Sequence, residues 1–445
     1  MLLLRHLRRR RGGFRAPPPC RDLRAAPFVD AKVKWVRDRG LDHAVEKEKH
    51  LRPLHALKNL LLNPSLEGSP IPSSLLLSAI AERSDELRLP FRAIRFIRKY
   101  PSAFLEQAAA PSSEAFRRPH ILPTPELIRI HEEEQLVYQS CRGETADRLL
   151  RLLMLTPFKR LSLSVIDRLR WDLGLPHDYA RSLLPEYPDY FQIVGGGGGG
   201  RGSGSLDLEL VCWNKELAVS SMERQAMKTG GYRKGDPLSF PMQFPRGFDL
   251  EKKVRRWVED WQRLPYLSPY EDAGRCVNPA SDLAEKWTVG VLHELLHLLV
   301  GKKAERDDLL LLGECVGLRP GFKRALVHHP GIFYQSNKIK AHTILLREGY
   351  KRDLLVEKHP LMGLRFQYIH LMRQSAAMDA ATAPGHGDRR RTRKTDGVAA
   401  AEFVREGSSE DGDEEDDAEE EDDDDEELCS SEDEDGSRGL HGVVN

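Results

Sequence analysis

Apolar residues recur at helical spacing along most of the chain from Phe28 to about Ser375, and prolines and glycines interrupt the pattern at short intervals. Such spacing predicts short amphipathic helices with tight turns and a few short strands between them. The longest apolar runs fall far short of the roughly 20 residues that a membrane-spanning helix requires. We therefore expect a folded part at residues 28–375 and no membrane span.

One pattern occurs three times in this part, at residues 87–104, 173–191 and 316–333. In each copy an apolar helix precedes a proline, a second proline follows ten to twelve residues later, and a phenylalanine ends the copy. The first proline is compatible with the first turn of a helix, whereas the second ends the helix. The pattern predicts repeated helix-turn-helix units that stack and leave one face free for an extended ligand such as single-stranded nucleic acid.

Two stretches of strand composition, residues 190–194 and 206–213, flank a run of six glycines at 195–200. They predict a β-hairpin with a long loop. No Lys-Ser or Lys-Thr pair follows the glycines, so the run does not match a phosphate-binding loop. The expected fold class is mainly α with minor β, built from repeated helix-turn-helix units plus a β-hairpin and followed by a disordered acidic tail.

The formal net charge of −1 hides an asymmetry, because residues 402–445 contain 22 of the 69 acidic side chains and only two of the 68 basic ones. The first 401 residues therefore hold 66 basic against 47 acidic side chains. A basic body favours a polyanionic partner, nucleic acid first. A block as acidic as the last residues cannot bury a core, so we expect residues 376–445 to form a disordered tail, first basic and then acidic.

The amino-terminal stretch has the composition of an organelle-targeting peptide. Residues 1–27 contain eight arginines and one acidic residue, Asp22, with leucines among the charges. The apolar part is too short for a secretory signal, and the arginine-rich composition favours a mitochondrial transit peptide. A basic arm that touches nucleic acid is the alternative.

Five segments together resemble a known family: residues 33–54, 89–104, 208–220, 244–272, and the helix beginning at Trp287 with the HPGIFY motif that follows it. In this order they resemble the plant organelle RNA recognition domain family across residues 28–375. The resemblance implies RNA binding in mitochondria or chloroplasts, commonly in support of group II intron splicing. It implies organellar intron-containing RNA as the partner, other splicing factors beside it, and neither an enzymatic activity nor a cofactor.

Cations near aromatic residues are the candidate RNA-binding groups, because phosphates attract cations and bases stack on rings. Some lie in an extended segment around Trp35, some beside the first repeat, and some on a helix at residues 250–264, opposite an apolar stripe that includes Trp257 and Trp261. The candidates are Lys32, Lys34, Trp35, Arg37, Arg39, Arg92, Arg95, Arg98, Lys99, Lys252, Lys253, Arg255 and Arg256. The four cations of the 250–264 helix equally fit an ordinary solvated face, and the two tryptophans fit the core.

Residues 293–297 match the HExxH motif, which can place two imidazoles and a glutamate base around a zinc ion. On a helical wheel, however, His293 and His297 share one side with Lys286 and Gly290, opposite the apolar residues, which predicts a solvated polar face.

A third metal ligand is also missing from the sequence pattern. The metzincin extension fails, because Val300 and Lys303 stand where its glycine and third histidine belong. Glu314 is the best remaining ligand. The six cysteines contain no CxxC pair. We therefore expect no metal site and no catalytic residues.

The sequence leads to a mitochondrial RNA-binding protein, with the chloroplast as a second possible address, that assists group II intron splicing. Two alternatives stay open. One is a zinc-dependent peptidase that uses His293, Glu294 and His297. The other is a helical protein-binding scaffold whose acidic tail docks a basic partner.

Overall fold

The computed structural model describes residues 36–62, 74–107, 119–195, 206–244, 248, 251–339 and 342–382. It begins with two helices, α1 (Arg39–Glu46) and α2 (Leu51–Leu62). The Asp38 side chain caps α1 by accepting a hydrogen bond from the Leu41 amide. The predicted transit peptide and acidic tail lie outside the described residues.

The three sequence repeats belong to three copies of one supersecondary unit, in which a short strand runs into a helix, a second helix follows and two strands end the copy. The first repeat comprises β1 (Leu75–Leu76), α3 (Leu77–Glu82), α4 (Ala93–Lys99), β2 (Phe104–Gln107) and β3 (His120–Pro123). Two connecting helices follow, α5 (Pro125–Ser140) and α6 (Arg142–Leu155). The second repeat comprises β4 (Arg160–Ser162), α7 (Leu163–Leu173), α8 (Tyr179–Ser182), β5 (Phe191–Gly195) and β6 (Leu206–Leu210).

Three further helices lead to the last copy: α9 (Ser221–Thr229), α10 (Lys252–Gln262) and α11 (Asp282–Leu298). The third repeat comprises β7 (Lys303–Glu305), α12 (Arg306–Cys315), α13 (Lys323–His328), β8 (Phe333–Ser336) and β9 (Thr343–Leu346). A two-stranded ribbon of β10 (Tyr350–Lys351) and β11 (Leu354–Leu355) and a long helix, α14 (Pro360–Thr382), end the described chain.

Each repeat forms its own antiparallel three-stranded sheet with the same strand order. The orders are β1-β3-β2, β4-β6-β5 and β7-β9-β8, so the last strand is always central. The phenylalanine that ends each sequence copy is the first residue of the second strand, and all three are buried (Phe104, Phe191, Phe333). The second proline of the pattern therefore stops the short helix and directs an aromatic ring into the core.

The turn between the two helices of a repeat uses a left-handed residue at the same place each time. Arg88, Gly174 and Gly317 have φ of 52°, 67° and 77°, and each stands two or three residues before the first proline of its copy. After α7 and α12 this conformation brings the next amides onto carbonyls of the last helical turn and reverses the chain, whereas Arg88 reverses the chain within the turns that follow α3. At Gly174 a Cβ atom would lie 2.8 Å from Val300 Cγ2 and from Leu361 Cδ1, so packing as well as φ requires glycine there.

The fold class predicted from sequence is confirmed: the protein is mainly helical with small antiparallel sheets. The predicted hairpin is β5–β6, paired from Phe191 opposite Leu210 to Gly195 opposite Leu206, and its glycine loop lies largely outside the described residues. The sequence missed the equivalent hairpins of the first and third repeats. Their strands have only four residues each, which is too short for alternation to distinguish them from loops.

Two large hydrophobic clusters hold these units together. One joins α2, the first repeat, α5 and α14. The other joins the second and third repeats to α6, α10 and α11. In α10, Trp261 is buried and Trp257 packs against the second cluster, which confirms that both rings belong to the core.

Helix α11 runs through the second cluster and is buried on nearly every side. The predicted solvated face is wrong: Lys286 and His293 are each 1% exposed, and His297 is only partly exposed. The helical wheel failed because residues distant in sequence cover this face and satisfy its polar atoms. Lys286 Nζ, for example, donates to the carbonyls of Gln262 and Leu264, both at 2.7 Å. No described helix has the length and apolar character needed to cross a membrane.

Candidate nucleic-acid interface

A groove of about 650 Å³ lies between the start of α2, the turn before α4, the end of α7 and the third sheet. A volume of this order accommodates a nucleotide-sized ligand. Residues from α2, from all three repeats and from α14 line it, so it exists only in the assembled fold. Its wall combines cations, carboxylates and aromatic rings.

The carboxylates of the groove are already paired with cations of the protein. Arg52 donates to Asp172 at 2.6 and 2.7 Å and to Glu305 at 2.7 Å. Lys303 pairs with Glu48 at 3.1 Å and donates to the Ala44 carbonyl at 2.8 Å. These ion pairs neutralise the floor and hold α2 against the second and third repeats.

The mouth of the groove keeps a positive charge. Lys49, Lys99 and Lys338 line it and are exposed, and none has an acidic partner among the residues that the structure describes. His50 also lines the groove, and its pKa is lowered to about 4, first by burial and then by the charges of Lys99 and Lys49. Unpaired lysines at a groove mouth attract a phosphate.

Aromatic rings stand beside these cations. Phe91 lines the groove and is partly exposed; Lys99 Nζ lies 5.7 Å and Arg95 Cζ 5.5 Å from its ring centroid. Deeper in the groove, the Arg365 guanidinium lies 4.0 Å from the Trp171 ring centroid and donates to the Trp171 carbonyl. Exposed rings next to cations are the elements that proteins use to hold single-stranded bases and phosphates.

Of the candidate cations of the first repeat, Lys99 lines this groove and Arg95 lies beside its Phe91 ring, whereas Arg92 and Arg98 do not line it. Arg92, Arg95, Arg98 and Lys99 are all exposed on α4 or its first turn. Arg98 is engaged by Glu106 through bonds of 2.9 and 3.0 Å, so the other three offer more accessible charge.

The candidates near the amino terminus are only partly described. Arg37 and Arg39 are exposed, and Arg37 bonds to Asp42 at 3.0 Å. Lys32, Lys34 and Trp35 lie outside the described residues.

Helix α10 presents a separate cationic surface on the other hydrophobic cluster. Lys252, Lys253, Arg255 and Arg256 are exposed. The first two occupy the first turn, directly after the acidic N-cap residue Glu251, while Glu259 and Asp260 lie near the other end. The helix macrodipole favours acids at the amino end and bases at the carboxyl end, so Lys252 and Lys253 are not placed to stabilise the helix.

Sequence reasoning missed several groove residues: Lys49, His50, Arg88, Trp171, Lys338 and Arg365. Residues 49 and 50 lie in a segment already quoted for the family resemblance, which was the available signal. Nothing local marks Lys338 or Arg365, because tertiary packing alone brings them to the groove.

The glutamate of the HExxH motif is engaged by groups other than the two histidines. The Glu294 carboxylate is fully buried and accepts hydrogen bonds from the Tyr270 hydroxyl and the Ser221 amide, both at 2.7 Å. It anchors α9 and the segment before α11. Glu314, the best third-ligand candidate in the sequence, is exposed on α12. The carboxylate that does meet His293 and His297 is Glu348, from the short turn after β9.

The sequence profile of the plant organelle RNA recognition domain matches residues 36–377, nearly the whole of the described chain. The chain therefore belongs to the plant organelle RNA recognition domain family, as the sequence motifs predicted. No solved structure matches it at a significant level.

Several curated relatives are similar over most of their length. The chain is 34% identical to Protein WHAT'S THIS FACTOR 9, mitochondrial, of Arabidopsis thaliana, over 78% of this chain and 87% of that protein. It is 32% identical to Protein ROOT PRIMORDIUM DEFECTIVE 1 of the same plant, over 78% and 85%. It is 30% identical to Protein WHAT'S THIS FACTOR 1 homolog, chloroplastic, of Oryza sativa subsp. japonica, over 78% and 68%.

Proposed function

We propose that this protein binds intron-containing RNA in the mitochondrion and assists group II intron splicing without catalysing a reaction itself. The observation that supports RNA binding best is the groove, which is lined by Lys49, Lys99, Lys338 and the Phe91 ring, while every carboxylate of the wall is paired within the protein. Family membership supports the same ligand. The mitochondrial address rests on the arginine-rich residues 1–27 and on the name of a 34% identical relative.

The groove suits a single-stranded segment of RNA. Phosphates approach the three lysines and release counterions, which provides affinity without sequence preference. A base inserted between them stacks on Phe91, and its edge reaches polar groups of the wall. Folded introns expose unpaired bases in loops and bulges, so a protein of this kind stabilises one RNA shape over others by binding energy alone.

The cations of α10 form a second contact in this proposal. They face solvent on the hydrophobic cluster that does not contain α4. Two separated contacts allow one protein to engage two parts of a large folded RNA, and the combined affinity exceeds that of either contact.

We further propose that the acidic tail competes with RNA for the basic surface of the protein. Residues 402–445 have 22 acidic and two basic side chains, and they are tethered to a basic body. A tethered polyanion occupies cationic surfaces at high effective concentration and excludes weakly bound RNA. Deletion of residues 402–445 should therefore strengthen binding to random RNA more than binding to the cognate intron.

Fluorescence anisotropy with a labelled mitochondrial group II intron RNA tests the groove. The triple variant Lys49→Gln, Lys99→Gln and Lys338→Gln should bind at least about tenfold more weakly at 0.1 M salt and should reduce the slope of log affinity against log salt by about 2. The control triple, Lys215→Gln, Lys228→Gln and Lys351→Gln, removes the same charge from exposed positions that do not line the groove.

The control should change affinity less than about threefold. An equal loss of RNA affinity in both triple variants would show that binding depends on total charge and not on the groove. Absence of binding at low salt by the folded parent would reject the RNA function altogether.

A further inference from the structure

A buried cluster of His293, His297 and Glu348, here called the α11 cluster, has no role in the RNA proposal. The Nε2 atoms of His293 and His297 lie 2.7 and 2.6 Å from the same oxygen, Glu348 Oε1. The side chains are 1% exposed for His293, 21% for His297 and 15% for Glu348. Among the residues that the structure describes, this is the one group of three or more His, Cys, Asp or Glu side chains with the spacing of metal ligands.

Charge sets this cluster apart from an ordinary buried ion pair. The Glu348 carboxylate is mostly buried and lies within hydrogen-bond distance of both imidazoles. No lysine or arginine among the described residues pairs with Glu348. Lys302, whose Nζ donates to the His297 carbonyl, is paired with Glu357 at 2.8 Å. A mostly buried carboxylate without a side-chain cation is costly.

A second histidine-glutamate cluster in the same protein shows how such a charge is otherwise compensated. His55 Nε2 lies 2.8 Å from Glu134 Oε1, and His131 belongs to the same group. There Lys58 is fully buried; its ammonium contacts the Glu134 carboxylate and lies 3.2 Å from His131 Nδ1. In that cluster a buried lysine compensates the carboxylate, whereas the α11 cluster has no such side-chain cation.

The ligands are also held in place before any ion arrives. Both histidines project from one helix with a spacing of four residues, which brings their rings to the same side. Glu348 lies in a turn whose neighbour Arg347 bonds to Asp38 at 2.8 Å and to the Pro330 carbonyl at 2.6 Å. His297 also lines a cavity of about 150 Å³.

We propose that His293, His297 and Glu348 bind one divalent transition metal ion, with zinc preferred, which ties α11 to the turn after β9. Two imidazoles and one carboxylate are a ligand set that zinc accepts, commonly with water as the fourth ligand. The site is structural rather than hydrolytic, because the Glu294 carboxylate is engaged by Tyr270 and Ser221. The proposal is independent of RNA binding.

The test uses the full chain without a histidine tag, stripped of metal and then titrated with Zn²⁺ or Co²⁺. Elemental analysis after removal of free ion should give one zinc per chain, and zinc should raise the unfolding temperature by at least about 3 °C. Co²⁺ should give visible absorption bands of a four-coordinate site. His297→Ala and Glu348→Gln should each lose the bound ion, the temperature shift and the bands.

Glu348→Gln keeps the size of the side chain and a hydrogen-bonding oxygen, so it separates metal loss from failure to fold. His328→Ala is the matched control, because His328 belongs to another histidine-glutamate contact, with Glu285 at 3.4 Å, and should leave zinc binding unchanged. A folded parent with no bound zinc and no temperature shift would reduce the cluster to a hydrogen-bonded triad. Zinc that stays bound in both His297→Ala and Glu348→Gln would show that other histidines or cysteines bind the ion. Either result overturns the proposal.

Discussion

Lys159 and Lys302 occupy equivalent positions in the second and third repeats. Each is the residue before the first strand, each has a positive φ (56° and 50°), and each donates from Nζ to the backbone carbonyl five residues earlier, at 2.7 Å to Met154 and 2.6 Å to His297. The accepting carbonyls lie in the last turns of α6 and α11, where helical partners are missing. The repeats thus share a way of ending one helix and entering the next strand, beyond their proline pattern.

The left-handed turn within each repeat gives a first prediction about stability. Gly174→Ala should lower the free energy of unfolding by about 2–4 kcal/mol, because the new methyl group meets Leu361 and Val300 at 2.8 Å and φ is +67°. Gly321→Ala is the control: φ is +89°, but no atom lies within 4 Å, so only the backbone term of about 1 kcal/mol remains. Urea unfolding of both variants measures the difference. Equal losses would show that the contact with Leu361 and Val300 does not matter.

Local patterns were sufficient for much of the fold. Proline and glycine positions marked the repeats, and the apolar stripe identified Trp257 and Trp261 as core residues, because these signals act within a few residues. The face of α11 was predicted wrongly because Glu348, 51 residues from His297, supplies its polar partner. The groove was missed for the same reason: Lys49, Lys99 and Lys338 meet only after the repeats pack.

Helix α10 should separate fold from function. Trp261→Ala should destabilise the protein by about 3–5 kcal/mol, because the ring is 1% exposed. The quadruple variant Lys252→Gln, Lys253→Gln, Arg255→Gln and Arg256→Gln should remain folded, since all four side chains are exposed. Its RNA affinity should fall. Unchanged affinity in the folded variant would make these cations an ordinary solvated surface.

Phe91 should contribute to RNA affinity through its ring rather than its volume. Phe91→Leu keeps an apolar side chain for packing but has no aromatic face, and it should weaken binding by about 1–3 kcal/mol. Phe91→Trp should bind RNA at least as well as the parent. Anisotropy titrations, with melting temperatures as the check on folding, decide the matter. If the leucine variant binds like the parent, no base stacks at this position.

Stability should fall as the solution becomes mildly acidic. Burial and the Lys58 charge lower the pKa of His55 from 6.5 to about 4, so the unfolded chain takes up a proton between these values while the folded protein does not. The free energy of unfolding therefore decreases from pH 7 to pH 5, by an amount that approaches roughly 3 kcal/mol near pH 4 from this group. His55→Gln keeps a donor for Glu134 but cannot titrate, and should flatten the dependence. A parent whose stability is constant from pH 7 to 5 would contradict the assignment.

The central claim is that this protein holds group II intron RNA in the mitochondrion through the groove around Phe91. The most direct measurement is crosslinking in plant cells followed by purification from mitochondria and sequencing of the attached RNA. It should be performed in parallel with the Lys49, Lys99 and Lys338 triple variant. We predict enrichment of one or a few group II introns with the parent protein and loss of that enrichment with the variant at equal protein abundance. Recovery of the parent from mitochondria with no intron enriched above background would contradict the account.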